Sequence, residues 1–381
     1  MSVTQKVFIH IGLPKTATTY LQTIMWAAPE TMREQGVLLP GREKADHLWT
    51  ARAVCESPAM SSARPSQQDA WERVRAGIAE WPGAAVISHE FIAAASAEQA
   101  QRMVDALAPA EVHIVVTARE PIGLFTTSWQ ESLKNRGTRT MAEYPGPDSD
   151  SPQAIWNWRT LDLGLVLGRW GGVVPADRVH VLPLPGRGAP RDLIWQRFAK
   201  LIGLDAGAFD ATSGFANSSM GVAEAETLRR INEHIIERDL LSSGLERGTI
   251  IRTMLADERL VPRGGDRFWP GQAQIDDCRE RGRRAIAMVR ERGFDVIGDI
   301  ADLEPPAHLE ERRSVDSVTD AEVAVIATDL VAQLAGEIRE RRRELRAGEM
   351  ARRELEAQLV EARLTFRQRL RRRLGLSVKT S

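Results

Sequence analysis

Lysine is scarce in this chain. Only Lys6, Lys15, Lys44, Lys134, Lys200 and Lys379 stand among 51 basic residues, so arginine is the default cation and a lysine inside a motif carries information. Cysteine is scarcer still: Cys55 and Cys278 lie far apart and neither has a CxxC partner. That excludes a zinc framework and a disulfide scaffold and leaves two reduced thiols. No uninterrupted apolar run reaches the roughly 18 residues of a membrane span, and MSVTQKVFIHIG enters a strand-like run without the basic and long apolar regions of a signal peptide. A cytoplasmic protein is expected. With 51 basic against 52 acidic residues and a net charge of −1, a protein that works by coating nucleic acid is excluded as well.

What the chain does have is enough material for a core. It has 381 residues, 43% of them hydrophobic, and 29 glycines, which suits one large α/β domain with an appendage or two to three units. Val7–Ile11, Ala84–Ile87, Val112–Val116 and Arg178–Leu182 are short, β-branched or small apolar runs that read as buried parallel strands. Between them the apolar period changes to that of helices, at 16–27, 69–80, 93–108, from Pro121 onward and at 154–170, while 58–69 and 137–153 read as loops. Pro29 marks the end of the first helix. Alternating strands and helices imply βαβ units and a mostly parallel sheet; beyond about 190 the pattern is mainly helical. The expected architecture is α/β, with a P-loop-like parallel sheet flanked by helices over 1–315 and a long charged helical extension over 316–381. In that extension Leu330, Leu334, Ile338 and Leu345 form one partial apolar stripe and Leu355 and Leu359 another, with the heptad broken between them.

The segment that carries chemistry is Gly12-Leu13-Pro14-Lys15-Thr16-Ala17-Thr18-Thr19, between the first strand and the first helix. A helix start leaves backbone N–H groups unpaired at the positive end of the helix dipole, which suits a phosphate or sulfate. The threonine hydroxyls add donors and Lys15 adds a positive charge. A Walker A loop is absent, since Ile9 and Pro14 occupy the places of its two glycines. The bland alternative is a helix whose threonines satisfy their neighbours.

HIGLPKTATTYLQ resembles the 5′-phosphosulfate-binding loop of sulfotransferases that use 3′-phosphoadenylyl sulfate (PAPS), a loop of the type P-K-[ST]-G-T-T. The resemblance implies that Pro14, Lys15, Thr16, Ala17, Thr18 and Thr19 bind the donor, with Ala17 in place of the usual glycine. Thr117-Ala118-Arg119-Glu120-Pro121 at the end of the third strand is similar to the family's 3′-phosphate-binding segment, in which an arginine is followed eight residues later by a serine. Thr127 holds that spacing and Ser128 is one beyond. The guanidinium fork suits phosphate oxygens on its own chemistry. Trp129-Gln130-Glu131, Lys134-Asn135-Arg136 and Phe215-Ala216-Asn217-Ser218-Ser219 resemble strings of a bacterial branch. The implied activity is transfer of a sulfuryl group from PAPS to a hydroxyl, or an amine, of a small-molecule, glycan or lipid acceptor, with adenosine 3′,5′-bisphosphate as product and no metal.

The implied catalytic groups are Lys15, at the leaving phosphate, and a base at the end of the second strand, where Ser88-His89-Glu90 stands. Glu90 is preferred as the base with His89 as orienter or acceptor contact, while either residue also suits a helix cap. His10, His113 and His180 read as packed, as do Trp129, Trp156 and Trp158. Arg263 and Gly264 form a loose analogue of the family's late arginine–glycine loop, with a surface loop the simpler reading. Segments 42–68 and 137–160 are expected to shape the acceptor pocket. The competing functions are a P-loop kinase, which lacks its second glycine and a strand-borne Asp pair, and a non-catalytic protein that acts through its C-terminal helix by self-association or on an anionic membrane surface.

Overall fold

The computed structural model describes residues 5–186, 188–212 and 219–375. The chain divides into two compact units, Met1–Val318 and Thr319–Ser381. In the first, six strands form one parallel sheet: β1 (Lys6–His10), β2 (Val37–Leu38), β3 (Ala84–Ser88), β4 (Glu111–Ala118), β5 (Val179–Pro183) and β6 (Asp295–Val296), in the order β2-β3-β1-β4-β5-β6. The four strands read from the sequence are the four central ones. β2 and β6 are two residues each, too short to leave a periodic signal. A separate parallel pair joins Phe268–Trp269 to Arg313–Ser314.

The strands are mostly apolar because both faces are covered, although Lys6, Glu111, His113 and His180 stand toward their amino ends. Phe8, Val86, Val115 and Leu182 pack with Leu21, Ile24 and Met25 of α1 (Thr18–Ala27) and with Trp195 and Phe198 of the helix Leu193–Ile202. α1 starts two residues later than expected because Lys15 and Ala17 both adopt left-handed backbone (φ 65° and 70°), which prolongs the loop. It stops before Pro29 as expected, but that proline also opens a second short helix, Pro29–Glu34, where its fixed φ and missing N–H fit the first turn. The helix after the third expected strand is α2 (Pro121–Lys134). The expected helix at 154–170 is broken at Asp162, which caps Gly164 N at 2.8 Å. Segment 58–69 is not all loop: a 3₁₀ turn at Pro58–Met60 and a short helix at Pro65–Gln68 lie within it.

Strand order decides where a ligand can enter. The connection after β1 leads toward β2 on one side of the sheet, and the connection after β4 leads toward β5 on the other. Loops that diverge from two adjacent strands leave a crevice at their carboxyl ends. The register confirms their neighbourhood: Ile9 pairs with Ile114, and Leu13 N continues the ladder to Thr117 O at 2.9 Å.

The second unit is dominated by α3 (Asp320–Arg373), 54 residues of helix. Among the described residues no helix is long and apolar enough to cross a membrane.

Candidate anion-binding site

The loop between β1 and α1 is tightly built. A Cβ on Gly12 would lie 2.0 Å from Thr117 Oγ1 and 2.9 Å from His10 Nε2, so only glycine lets β1 leave the sheet here. Thr16 is buried and its hydroxyl is spent on the protein. It donates to Leu13 O at 2.5 Å or Thr117 O at 3.0 Å and lies 2.9 Å from Thr117 Oγ1. Thr18 is different: its Oγ1 is buried with no hydrogen-bond partner. Ala17 is the N-cap of α1 and offers no side-chain cap to the first turn. Pro14 is buried, and Thr19 is exposed. The loop therefore has an uncapped helix start, an unspent hydroxyl and left-handed residues on either side of Thr16, the kind of turn that gathers backbone N–H groups toward an anion.

The second segment starts α2. Glu120 caps that helix by accepting from Gly123 N at 2.8 Å, and Pro121 takes the first turn. Arg119 lies back over this turn: a Cβ on Gly123 would come within 2.7 Å of its Nη2. Its Nε is 3.8 Å from Glu120 Oε1 and its side chain is one-third exposed. Thr127 Oγ1 donates to Gly123 O at 2.8 Å. Ser128 is fully buried and bonds Phe125 O. Of the two hydroxyls weighed from spacing, Thr127 faces the crevice and Ser128 faces the core.

Lys15, Ala17, Arg119, Gly123 and Thr127 line one open cavity of about 1160 Å³. α2 supplies its floor with Thr126, Gln130, Glu131 and Lys134. Glu131 is the charge centre. Lys15 Nζ donates to its Oε2 at 3.0 Å and Arg252 to its Oε1. Burial alone would raise the Glu131 carboxyl, but the two cations outweigh it and hold the group below the usual carboxylate range. Lys15 is thus poised rather than idle: its side chain is 41% exposed, and the partner that holds it also serves Arg252. Gln130 Oε1 accepts from Met220 N at 3.0 Å, and Lys134 reaches Asp257 at 2.5 Å. Of the strings Trp129-Gln130-Glu131 and Lys134-Asn135, Gln130, Glu131 and Lys134 therefore line the cavity, while Trp129 is a buried anchor whose Nε1 donates to Arg139 O. Residues 215–218 of the third string lie outside the described residues.

Sequence reasoning missed Arg191, Arg267 and Arg312, which also line the cavity. Only the late arginine–glycine loop carried a hint. It does reach the site, through Arg267, Phe268 and Trp269, whereas Arg263 turns to Glu224 at 3.6 Å. No residue of 42–68 or 137–160 lines this cavity, so the expected acceptor segments do not shape it.

His89 and Glu90 are not part of its lining either. They stand one strand away, at the end of β3, where His89 N donates to His10 O at 3.1 Å. His89 Nδ1 accepts from Phe91 N and caps the 3₁₀ turn Glu90–Ala94, which fulfils the capping alternative. Burial, then the charges of Lys44 and Arg52, hold the His89 imidazole below its ordinary value, although Glu90, 3.8 Å away, opposes them. Lys44 belongs to the helix Lys44–Val54. It too is lowered by burial, with Glu90 working against the shift, so segment 42–54 borders this group rather than the cavity.

His10, His113 and His180 are packed, whereas His234 is exposed and His308 lines the cavity. His10 is fully buried, with Nδ1 2.9 Å from Ser88 Oγ and Nε2 3.0 Å from Thr117 Oγ1, and burial holds its pKa down at about 3. His113 and His180 stack and share a hydrogen bond of 2.8 Å. Trp158 is buried under the Arg281 guanidinium, 4.2 Å from the ring centroid, and Trp156 is half-buried. Cys55 and Cys278 are buried free thiols whose pKa values burial pushes up. Among the described residues no group of His, Cys, Asp or Glu is arranged to hold a metal. No family model, curated protein or solved structure matches the chain.

Proposed function

We propose that the protein is a PAPS-dependent sulfotransferase of P-loop-like fold, acting on a hydroxyl or amine of its acceptor. The observation that supports this reading is that Lys15 and Arg119, at the carboxyl ends of adjacent strands, line one cavity. Two anion sites that opened on different faces would have ended the reading. The loop also suits a donor with a phosphosulfate end, through the unspent Thr18 hydroxyl, the uncapped start of α1 and the glycine-only position at Gly12. The position of β1 between β3 and β4 agrees with a P-loop-like sheet.

When bound, PAPS supplies an activated sulfuryl group whose leaving group is a phosphate. The chain's own residues then have distinct tasks. Lys15 exchanges Glu131 for the bridging oxygen and holds the charge that grows there, aided by backbone N–H groups of the first turn of α1. Arg119 and Thr127 hold the 3′-phosphate, the guanidinium as a fork. At the acceptor, the new oxygen–sulfur bond forms as the sulfur–oxygen bond to phosphate breaks, and the acceptor proton leaves to solvent in the open cavity, because Glu90, the base the resemblance implies, lies outside its lining. His89, spent on Phe91 N, orients the strand end. Thr16 supports the loop from within.

Thermal unfolding tests the assignment. Adenosine 3′,5′-bisphosphate at a hundredfold excess over its Kd is expected to stabilise the protein by about 2.7 kcal/mol, and ATP with Mg²⁺ is not. The reverse response would transfer the chain to the P-loop kinases. Silence to both would leave a non-catalytic interaction protein. A screen of carbohydrate, lipid and phenolic acceptors with labelled PAPS then identifies the acceptor.

A further inference from the structure

The long helix α3 has a charge gradient and an interrupted seam that one partner resolves. From Asp320 to Ile338 it carries Asp320, Glu322, Asp329 and Glu337 and no basic residue, whereas 363–373 carries six arginines and no acid. Along its length the positions 331, 334, 338, 341, 345, 348, 352, 355, 359, 362 and 366 follow the alternating three–four spacing of a coiled-coil seam. Val331, Ile338, Leu345, Leu355, Leu359 and Phe366 on this seam are all exposed, at 52–67%. Three seam residues break the apolar pattern: Arg341, Gly348 and Arg352. Gly348 is unexplained within the protomer. A Cβ there would meet nothing within 4 Å, yet glycine weakens a helix interior.

We propose that α3 is the interaction surface for a second copy of this chain, paired antiparallel. Setting Leu345 opposite Leu355 of the second copy fixes the register. Leu334 then faces Phe366, Ile338 faces Ala362, Arg341 faces Leu359 and Gly348 faces Arg352. Each interruption finds a complement: the glycine leaves room for the arginine stem, whose head reaches water past the seam, and the Arg341 stem lies along Leu359. The acidic first part of one helix lies against the arginine-rich end of the other. A parallel pair in register would stack Arg341 on Arg341, Arg352 on Arg352 and six arginines on six, a repulsive arrangement. The paired stretch from Leu334 to Phe366 is about 50 Å long. This inference does not depend on the sulfotransferase reading.

The test is the solution mass of the full chain by light scattering at micromolar concentration, with the wild type expected to be a dimer that weakens at least tenfold as salt rises from 0.05 to 0.5 M. Gly348→Arg sets arginine against arginine in the pair and improves helix propensity in the single chain. It is expected to abolish the dimer with helical circular dichroism undiminished, which separates loss of pairing from loss of helix. Orientation is read with single added cysteines: a mixture of Leu345→Cys and Leu355→Cys chains is expected to cross-link as the mixed pair, and Ile338→Cys alone not with itself. A monomeric wild type, a Gly348→Arg dimer, or self-cross-linking through position 338 would each overturn the proposal. So would a monomer that binds phosphatidylserine vesicles through this helix.

Discussion

The two edges of the sheet hold similar residues and treat them differently. At the amino edge the charges around Glu111 answer one another. Glu111 meets Lys6 at 3.8 Å, Arg178 at 3.1 Å and His113 at 2.9 Å, and His113 passes through His180 to Asp295 at 2.7 Å. At the carboxyl edge the bookkeeping is left open. Thr18 Oγ1 is buried without a partner, α1 begins without a side-chain cap, two non-glycine residues are left-handed, and Lys15 shares one carboxylate with Arg252. Most buried polar groups in folded proteins find a partner. A buried hydroxyl without a partner and a strained turn at one strand end mark that edge as the candidate site.

Substitutions at the two edges sharpen that contrast. Lys15→Ala is expected to have the largest effect, a loss of about a hundred- to a thousandfold in kcat, as for removal of one donor to a developing oxyanion. His113→Gln at the amino edge is expected to leave kcat unchanged. Steady-state kinetics with saturating donor reads both, and equal values for the two variants would remove the distinction. Arg119→Ala is expected to weaken adenosine 3′,5′-bisphosphate by about 1.5–3 kcal/mol, more than it slows turnover at saturation. Calorimetric titration checks the binding term.

The buried histidines at the carboxyl edge make a pH prediction. Burial holds His10 near a pKa of about 3, lowered further by His89, and burial holds His47 near about 4 against its hydrogen bonds to Pro40 O and Ser88 N. Both folded values lie below the unfolded 6.5. The unfolded chain therefore binds more protons as pH falls, and stability is full above about 6.5 and is lost on the way down toward 4 and 3. At pH 5 the loss is about 2 kcal/mol for each group. Urea unfolding at pH 7 and pH 5 measures it, and a flat profile would mean that these rings are not buried neutral. The smallest effect is expected at Ala17. Its φ of 70° suits glycine, so Ala17→Gly should stabilise the fold by about 0.5–1 kcal/mol. A destabilised variant would show that the left-handed turn is not adopted.

Much of this was legible beforehand, for identifiable reasons. Lys15 and Arg119 were readable because each follows a continuous apolar strand, and a strand end is a local signal. Thr127 and Ser128 could not be separated by spacing, since which of two adjacent helical residues faces the crevice depends on the roll of α2 against the sheet. Thr16 read as a ligand hydroxyl and proved to be a strut, because its acceptors, Leu13 O and Thr117 O, include one about a hundred residues away. Arg191 and Arg312 left no pattern, Arg267 was hinted at only by its arginine–glycine loop, and the segments assigned to the acceptor turned elsewhere.

Local order along the chain was enough to determine the four central strands, the helices that follow them, the glycine–lysine–threonine turn and the charged terminal helix. Apolar period and turn chemistry act over a few residues, so one sequence displays them. Only the tertiary structure decided that Lys15 and Arg119 share a cavity, that Glu131 stands between Lys15 and Arg252, and that His89 and Glu90 lie outside the lining. Those relations arise from strand order and from contacts across a hundred residues, which pairing in the sheet creates and no local pattern encodes.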